Sequence, residues 1–189
     1  MIERKTVYFE KSGKQNTTLV LKTAKECAES NGIKDIVVAS TLGETGAKAA
    51  KLFKGYNVVV VTHYSGFSEP GVPQLKEEHR RQILRSGARI VTGTHALSSA
   101  ERAVRKMFNT IQPLELMANT LRIMGEGTKV CVEITLMAAD AGLIPIDKNI
   151  VAIAGTSQGA DTALLIKPAN AARFFDLRIR EIIAKPRDF

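Results

Sequence analysis

The stretch AIAGTSQGAD at residues 152–161 comes closest to a catalytic motif, because it places G-x-S-x-G directly after an apolar run. In serine hydrolases of this type the serine lies on a turn between a strand and a helix, and an acid and a histidine follow later in the chain. Here His63, His79 and His95 all precede Ser157, and the next segment is a predicted strand. We therefore interpret Ser157 as a pocket or turn hydroxyl and not as a nucleophile.

Loops that combine glycine with Ser or Thr follow four of the predicted strands. In open α/β sheets, ligands bind beyond the carboxyl ends of the strands. Such loops expose backbone N–H groups and short hydroxyls, which suits a phosphate better than it suits a catalytic acid and base. We assign no catalytic residue. The candidate binding residues are Ser40, Thr41, Gly43, Thr45, Thr62, His63, Thr92, Gly93, Thr94, His95, Gly155, Thr156 and Ser157.

The loop STLGETG at residues 40–46 is the strongest of these candidates, because it leads from a buried strand into the N-terminus of a predicted helix. Unpaired N–H groups and the helix dipole favour an anion at that point. The loop has neither the Walker A pattern nor the G-x-G-x-x-G pattern. Two simpler interpretations stay open: Thr41 and Glu44 form only a capping box, and GTSQG at residues 155–159 is only a turn between strands.

Two histidines follow predicted strand ends and could meet in one pocket. His63 and His95 could bind a ligand there or form structural hydrogen bonds. We predict no metal site, because no third ligand with a recognisable spacing accompanies them. Tyr64 and Phe67 either cover a planar ligand or pack within their loop. Asp161 could cap a turn or hold a hydroxyl of a ligand, and we favour the cap.

Composition limits the classes of protein to consider. The 189 residues suit one domain, 1–189, and carry a net charge of +8. The basic residues alternate with acidic ones, and there is no Trp and no basic stretch rich in aromatics, so nucleic acid is not an expected partner. No run approaches the roughly 18 apolar residues of a membrane span. The two cysteines are not in a C-x-x-C spacing, and we expect a cytoplasmic protein.

Strand and helix patterns alternate along the chain, which indicates an α/β domain with a mostly parallel sheet. The last two strands are expected to pair antiparallel at a sheet edge, where their charges are useful. Ser98 and Glu101 predict a capping box at the start of a helix. Strands are predicted at 6–9, 35–39, 57–62, 88–92, 149–154, 161–167 and 176–184. Helices are predicted at 17–30, 44–53, 74–86, from 98, from 113, and at 127–142.

The segment IVVASTLGETGAKAAKLFKGYNVVVVT at residues 36–62 resembles the C-terminal domain of pyruvate kinase. In that family a strand, a loop of the T-x-S-G-x-[ST]-A kind, a helix and a second strand form an allosteric sugar-phosphate site. The resemblance covers about 16–94 and, more weakly, 149–167. The catalytic barrel of pyruvate kinase has no counterpart here, so the chain looks like one of the stand-alone, mainly archaeal, proteins related to this domain.

The resemblance implies a three-layer α/β/α fold with a mostly parallel sheet and an antiparallel edge. It also implies a pocket for a phosphorylated small molecule, with Ser40, Thr41, Gly43 and Thr45 at the effector-loop positions. Within the stand-alone group the expected ligand is flavin mononucleotide (FMN), and kinase activity is not expected. A small flavin-dependent oxidoreductase, a sugar-phosphate-sensing module and a homo-oligomer are left open. The stretch TGTHALSS at 92–99 and the segment 125–142 are not pyruvate kinase features.

Overall fold

The computed structural model describes residues 1–98 and 100–189, and these contain seven strands and six α-helices. Ser99, in the stretch TGTHALSS, lies outside the described residues. The strands are β1 Val7–Lys11, β2 Asp35–Ala39, β3 Asn57–Thr62, β4 Arg89–Thr92, β5 Ile150–Ala154, β6 Thr162–Lys167 and β7 Arg178–Asp188. The helices are α1 Thr17–Ser30, α2 Glu44–Leu52, α3 Glu77–Arg85, α4 Glu101–Phe108, α5 Pro113–Arg122 and α6 Glu126–Asp140.

All the strands form one sheet in the order β1-β7-β6-β5-β2-β3-β4. Every neighbouring pair is parallel except β5 with β6 and β6 with β7. The predicted α/β class and the antiparallel pairing of β6 with β7 are confirmed. The prediction that this pair forms the edge of the sheet is wrong, because β1 pairs in parallel with β7 and forms the edge instead. The carboxyl ends of β5, β2, β3 and β4 therefore lie side by side.

The alternation of side chains along the parallel strands builds a core on each face of the sheet. Val38 and Val60 pack with residues of α1, α2 and α3 on one face. Val37 and Val59 pack on the other face against α6, which contributes Ile134 and other residues. Strands that are buried on both faces are expected to be continuously apolar, as these are. The result is three layers, helices over sheet over helix.

Helix α5 packs outside α6, where Ala118 meets Leu136 in a small apolar cluster. Helix α4 buries none of its residues. No helix in residues 1–98 and 100–189 combines the length and the apolar character needed to cross a bilayer. The cleft described below lies between this outer helical layer and the strand ends.

Two predicted helix starts differ from the structure by three residues. Helix α3 begins at Glu77, three residues after the predicted start. Helix α4 begins at Glu101, and the capping box predicted from Ser98 and Glu101 is wrong. The carboxylate of Glu101 instead accepts a hydrogen bond from the backbone N–H of Leu114 (2.8 Å) at the start of α5. A carboxylate that caps the next helix is not available to its own.

Candidate functional site

A cleft of about 480 Å³ opens at the carboxyl ends of β2, β3 and β5. This volume lies in the usual range for small-molecule sites, about 300–1,000 Å³. Helix α6 forms one wall, and α4 and α5 line the mouth. The predicted residues that line the cleft are Ser40, Thr41, Thr45, Thr62, His63, His95, Gly155 and Ser157. Gly43, Thr92, Gly93, Thr94 and Thr156 are not among the residues that line it.

The loop STLGETG connects β2 to α2 and contributes three hydroxyl residues to the cleft. The hydroxyl of Ser40 accepts a hydrogen bond from the N–H of Gly46 (2.9 Å), so the end of the strand caps the first turn of the helix. The predicted capping box of Thr41 with Glu44 is wrong, because the N-cap is Gly43 and no side chain of the box bonds to it. Glu44 pairs with Lys48 one turn along the helix (2.7 Å), and this contact lowers the pKa of Glu44.

The first turn of α2 keeps donors for a ligand. No protein acceptor for the N–H groups of Glu44 and Thr45 is found among the described residues. These groups lie at the positive end of the helix dipole, which favours an anion. Gly43 has a φ of 101°, and an added Cβ would lie 2.4 Å from the Cβ of His79. A side chain at position 43 would therefore strain the backbone and collide with α3, so the position favours glycine. Gly43 does not line the cleft.

The two predicted histidines meet in the cleft, with ring centroids 5.1 Å apart. Phe67 packs against His63 at 4.0 Å and Tyr64 packs against His95 at 5.0 Å, so the loop aromatics join the same cluster. His63 Nδ1 is hydrogen-bonded to Gln74 Oε1 (2.8 Å). Burial lowers the pKa of His95 to about 4 and also lowers the pKa of His63. Both imidazoles are therefore neutral at pH 7 and form a polarisable, uncharged wall.

The loop after β4 contributes less than predicted. The hydroxyls of Thr62 and Thr92 are hydrogen-bonded to each other (2.7 Å), which engages the Thr62 hydroxyl within the protein. Gly93 and Thr94 do not line the cleft, and of the predicted residues in this loop only His95 reaches it. In the part of the chain that the structure describes, no cluster of three or more His, Cys, Asp or Glu could hold a metal ion.

The loop GTSQG joins two antiparallel strands, β5 and β6. Ser157 has a φ of 64°, and the N–H of Gln158 donates to the carbonyl of Thr156 (2.8 Å) in a tight turn around it. A nucleophile elbow needs a helix behind the serine, and here β6 follows. Gly155, Ser157, Gln158 and Gly159 line one side of the cleft.

The carboxylate of Asp161 fixes this loop by hydrogen bonds. Its Oδ2 accepts hydrogen bonds from the N–H groups of Gly13 (2.9 Å) and Thr156 (3.1 Å). Its Oδ1 accepts from the hydroxyl of Thr162 (2.8 Å). The side chain is fully buried, so its role is the structural one interpreted from the sequence, and it ties the loop before α1 to the rim of the cleft.

Charged residues of α4, α5 and α6 line the cleft, and none of them was predicted to do so from the sequence. Two of the pairs are Arg105 with Glu115 (3.1 Å) and Arg122 with Glu126 (2.5 Å). The guanidinium of Arg102 lies over the ring of Phe67, 5.2 Å from its centroid. Among the described residues, no carboxylate pairs with Arg102. It is therefore a cation of the cleft that is available to an anionic ligand.

A buried ion pair, Lys129 with Glu133 (2.5 Å), forms part of the α6 wall. The other oxygen of Glu133 accepts from the N–H of Leu97 (3.0 Å) in the segment after β4. A signal in the sequence could have indicated this pair, because a Lys and a Glu four residues apart in an otherwise apolar helix must be buried together. Asp140, on the same helix, accepts hydrogen bonds from Asn170 and Ala171 outside the cleft.

Comparisons with known proteins agree with the architecture. The family model for the alpha/beta domain of pyruvate kinase matches residues 18–166. Among solved structures, the chain is similar to Cryptosporidium parvum pyruvate kinase in complex with ADP (15% identity, TM-score 0.37, 78% of this chain and 22% of that chain). It is also similar to the NH3-dependent NAD synthetase from Campylobacter jejuni in complex with the nitrate ion (15% identity, TM-score 0.34, 72% of this chain and 54% of that chain). The chain thus spans about a fifth of that kinase and about half of that synthetase.

Proposed function

The chain belongs to the family of the pyruvate kinase alpha/beta domain, and from this membership and the geometry of the cleft we propose that it binds a phosphorylated ligand, FMN. The observation that carries the proposal is the meeting of two unlike surfaces in one cleft. One surface is the N-terminus of α2 with its hydroxyl residues, and the other is the cluster of neutral histidines and aromatics. A ligand with a phosphate and a planar ring system would use both.

The phosphate would be held by hydroxyl and N–H donors of residues 41–45 and by a guanidinium. Thr41 and Thr45 offer hydroxyls, and the backbone of the first turn of α2 offers N–H groups. Arg102 offers a cation without a carboxylate partner among the described residues. Backbone donors at a helix N-terminus together with arginine are a common combination for phosphate.

The ring system would lie against His63, Phe67 and His95. Their centroids are 4.0–5.5 Å apart, so they form a continuous wall. Neutral imidazole and phenyl rings favour contact with a flat, polarisable ligand. A sugar phosphate would use the donors at α2 but would leave this wall without a partner. FMN, when bound, would supply one- and two-electron chemistry.

The alternative of a flavin-dependent oxidoreductase with a histidine as proton donor has less support in the geometry. Because burial lowers the pKa of His95 to about 4, His95 carries no extra proton at pH 7, and a neutral imidazole is a weak acid. We therefore propose binding as the primary role, with turnover as a separate question. Cytoplasmic location, archaeal origin and a homo-oligomer stay predictions.

The first experiment is the visible absorption spectrum of freshly purified protein, followed by chromatography of the small molecule that denaturation releases. The proposal expects a yellow protein that releases about one FMN per chain. If none co-purifies, titration of the purified protein with FMN should quench or shift the flavin fluorescence. A colourless protein that neither contains nor takes up FMN would refute the FMN proposal.

Two threonine variants test the position of the phosphate. Thr45→Glu places a carboxylate at a buried position beside the first turn of α2, so it should weaken FMN binding at least ten-fold by repulsion. Thr120→Glu, at an exposed position of α5, is the matched control and should leave binding unchanged. Circular dichroism of both variants checks that the fold is retained. Equal FMN affinity in the two folded variants would place the phosphate elsewhere.

A further inference from the structure

The wall of the cleft contains a buried amine that the proposed phosphate and ring contacts do not use. Lys129 lies on α6 and lines the cleft, yet its side chain is only 7% exposed. Lysine is almost never this buried without a partner, because a desolvated ammonium is costly unless hydrogen bonds compensate it. The hydrogen bonds of this group therefore indicate what it can still bind.

Lys129 has more donors than the protein uses. Its ammonium carries three N–H bonds, and one of them goes to Glu133 Oε2 (2.5 Å). Over residues 1–98 and 100–189, no second protein acceptor for Lys129 Nζ is found. Glu133 is already engaged on its other oxygen by the N–H of Leu97. The ammonium thus has capacity for further acceptors, and the space it borders is the cleft.

The position of the pair relates it to the ring end of the cleft. Glu133 accepts a hydrogen bond from the N–H of Leu97, which lies two residues after His95, and Lys129 is hydrogen-bonded to the other oxygen of Glu133. The ammonium therefore lies beside the segment that carries His95 of the ring cluster. An acceptor on the ligand that meets Lys129 would belong to the ring system and not to the phosphate held at α2.

We infer that Lys129 donates hydrogen bonds to an electronegative edge of the ligand's ring system, formed by carbonyl oxygens or ring nitrogens. It would thereby select a heteroaromatic ligand over a sugar phosphate. The inference rests on the proposed function, because it assumes that the cleft binds a ring-bearing ligand. Glu133 provides the counter-charge of the buried ammonium and links the pair to the segment after β4 through the N–H of Leu97.

The alternative is that Lys129 and Glu133 only stabilise the fold, and two single variants distinguish this structural role from ligand binding. Lys129→Met removes the donor, whereas Glu133→Gln removes the counter-charge but keeps Lys129 and an oxygen that can accept from Leu97. If the pair serves only the fold, any loss of affinity in either variant should follow its loss of stability, because each variant leaves a buried group without its charged partner. If Lys129 binds the ligand, Lys129→Met should weaken binding and Glu133→Gln should not, because the ammonium then has more donors to offer.

The experiment measures the affinities of FMN and of riboflavin, which lacks the phosphate, by flavin fluorescence. Lys129→Met should weaken both ligands about ten-fold or more, as expected for the loss of a charge-assisted hydrogen bond. Glu133→Gln should stay within about three-fold of the unsubstituted protein. Arg102→Ala should weaken FMN more than riboflavin, because the guanidinium lies over the ring of Phe67 as well as being available to the phosphate. Lys51→Met, at an exposed position of α2, is the matched control and should change neither affinity.

A second readout is the midpoint potential of the bound flavin. A nearby ammonium stabilises the negative charge that the reduced ring acquires, so Lys129→Met should bind flavin with a more negative potential. Because Lys129→Met leaves a buried carboxylate without its cation and can impair folding, the double variant Lys129→Met with Glu133→Gln serves as the second test. Compared with Glu133→Gln alone, the double variant should bind flavin more weakly, and the bound flavin should have a more negative midpoint potential.

The outcomes distinguish this inference from the proposed function. Equal losses in Lys129→Met and Glu133→Gln, or unchanged affinity and potential in both Lys129 variants, overturn the role of Lys129 while FMN binding stands. Loss of FMN affinity without loss of riboflavin affinity also overturns it, because Lys129 would then hold the phosphate. An unsubstituted protein that binds neither flavin overturns the proposed function, and this inference with it.

Discussion

Removal of the Asp161 carboxylate should both destabilise the fold and loosen the rim of the cleft. The side chain accepts three hydrogen bonds, from the N–H groups of Gly13 and Thr156 and from the hydroxyl of Thr162. In Asp161→Ala these three donors lose their acceptor at a site that is 0% exposed. We take about 1 kcal/mol for each of the two partly buried N–H groups and about 1–2 kcal/mol for the buried hydroxyl. The free energy of unfolding should fall by about 3–4 kcal/mol.

Asp161→Asn is the informative partner variant. Its amide oxygen can take the place of Oδ2 and accept from both N–H groups, while the NH2 group meets a Thr162 hydroxyl that can rotate to accept. Only the contribution of the negative charge to these hydrogen bonds is lost, so the free energy of unfolding should fall by about 1 kcal/mol. Asp140→Ala, which removes the exposed acceptor of Asn170 and Ala171, is the control and should cost about 1 kcal/mol or less.

The assay is urea unfolding followed by circular dichroism, together with a thermal melt. For a chain of this length, 3–4 kcal/mol corresponds to about 6–16 °C in Tm. The expected order of stability is unsubstituted protein, then Asp161→Asn, then Asp161→Ala, and FMN affinity should fall in the same order because the loop 155–159 lines the cleft. If Asp161→Ala unfolds at the same urea concentration as Asp140→Ala, the hydrogen bonds to Asp161 do not carry the stability assigned to them.

Three further predictions concern pH, packing and reactivity. Burial lowers the pKa of His95 from 6.5 to about 4, so between these pH values the unfolded chain binds more protons than the folded one. The free energy of unfolding should therefore fall by about 2 kcal/mol from pH 7 to pH 5 on account of His95. Urea unfolding of His95→Gln should show a weaker dependence of stability on pH. In a thermal melt, Gly46→Ala should be destabilised by about 1–3 kcal/mol despite its better helix propensity, because the new methyl would lie 2.6 Å from the side chain of Val60. Gly93→Ala, whose new methyl meets open space, is the control and should be nearly neutral. A fluorophosphonate probe should not label Ser157, and selective labelling detected by mass spectrometry would reinstate the nucleophile.

The bounds of the strands and helices that depend on local sequence patterns were predicted closely. Strands β2 and β3 and helix α1 have the predicted bounds, because continuous β-branched runs and a glycine stop leave few alternatives. The glycine that ends α1 is Gly32, which has a φ of 64°, as is usual after the end of a helix. The start of α4 was missed because Glu101 makes a contact thirteen residues away, with Leu114. Local capping patterns cannot anticipate a competitor that only the folded chain brings near.

In the candidate site, too, some features follow from local sequence and others depend on contacts between distant parts of the chain. The sequence by itself determined that hydroxyl and glycine loops follow the strands, because turn chemistry and strand patterns are local. The resemblance of the segment 36–62 to the pyruvate kinase domain extended this to the family. The order of the strands decided the rest. Side-by-side placement of β5, β2 and β3 brings loops more than a hundred residues apart in sequence to one edge, where the cleft joins residues 40–45 to residues 155–159.

Only the tertiary structure decided which side chains enter the cleft. Thr92, Gly93 and Thr94 were expected there from their position after a strand, yet they do not line it. Lys129 was not expected there, yet it forms part of its wall. Sequence patterns specify which face of a helix or strand is apolar, because that depends on the periodicity of one element. Which polar groups are buried together depends on how separate elements pack, and that is a property of the folded chain alone.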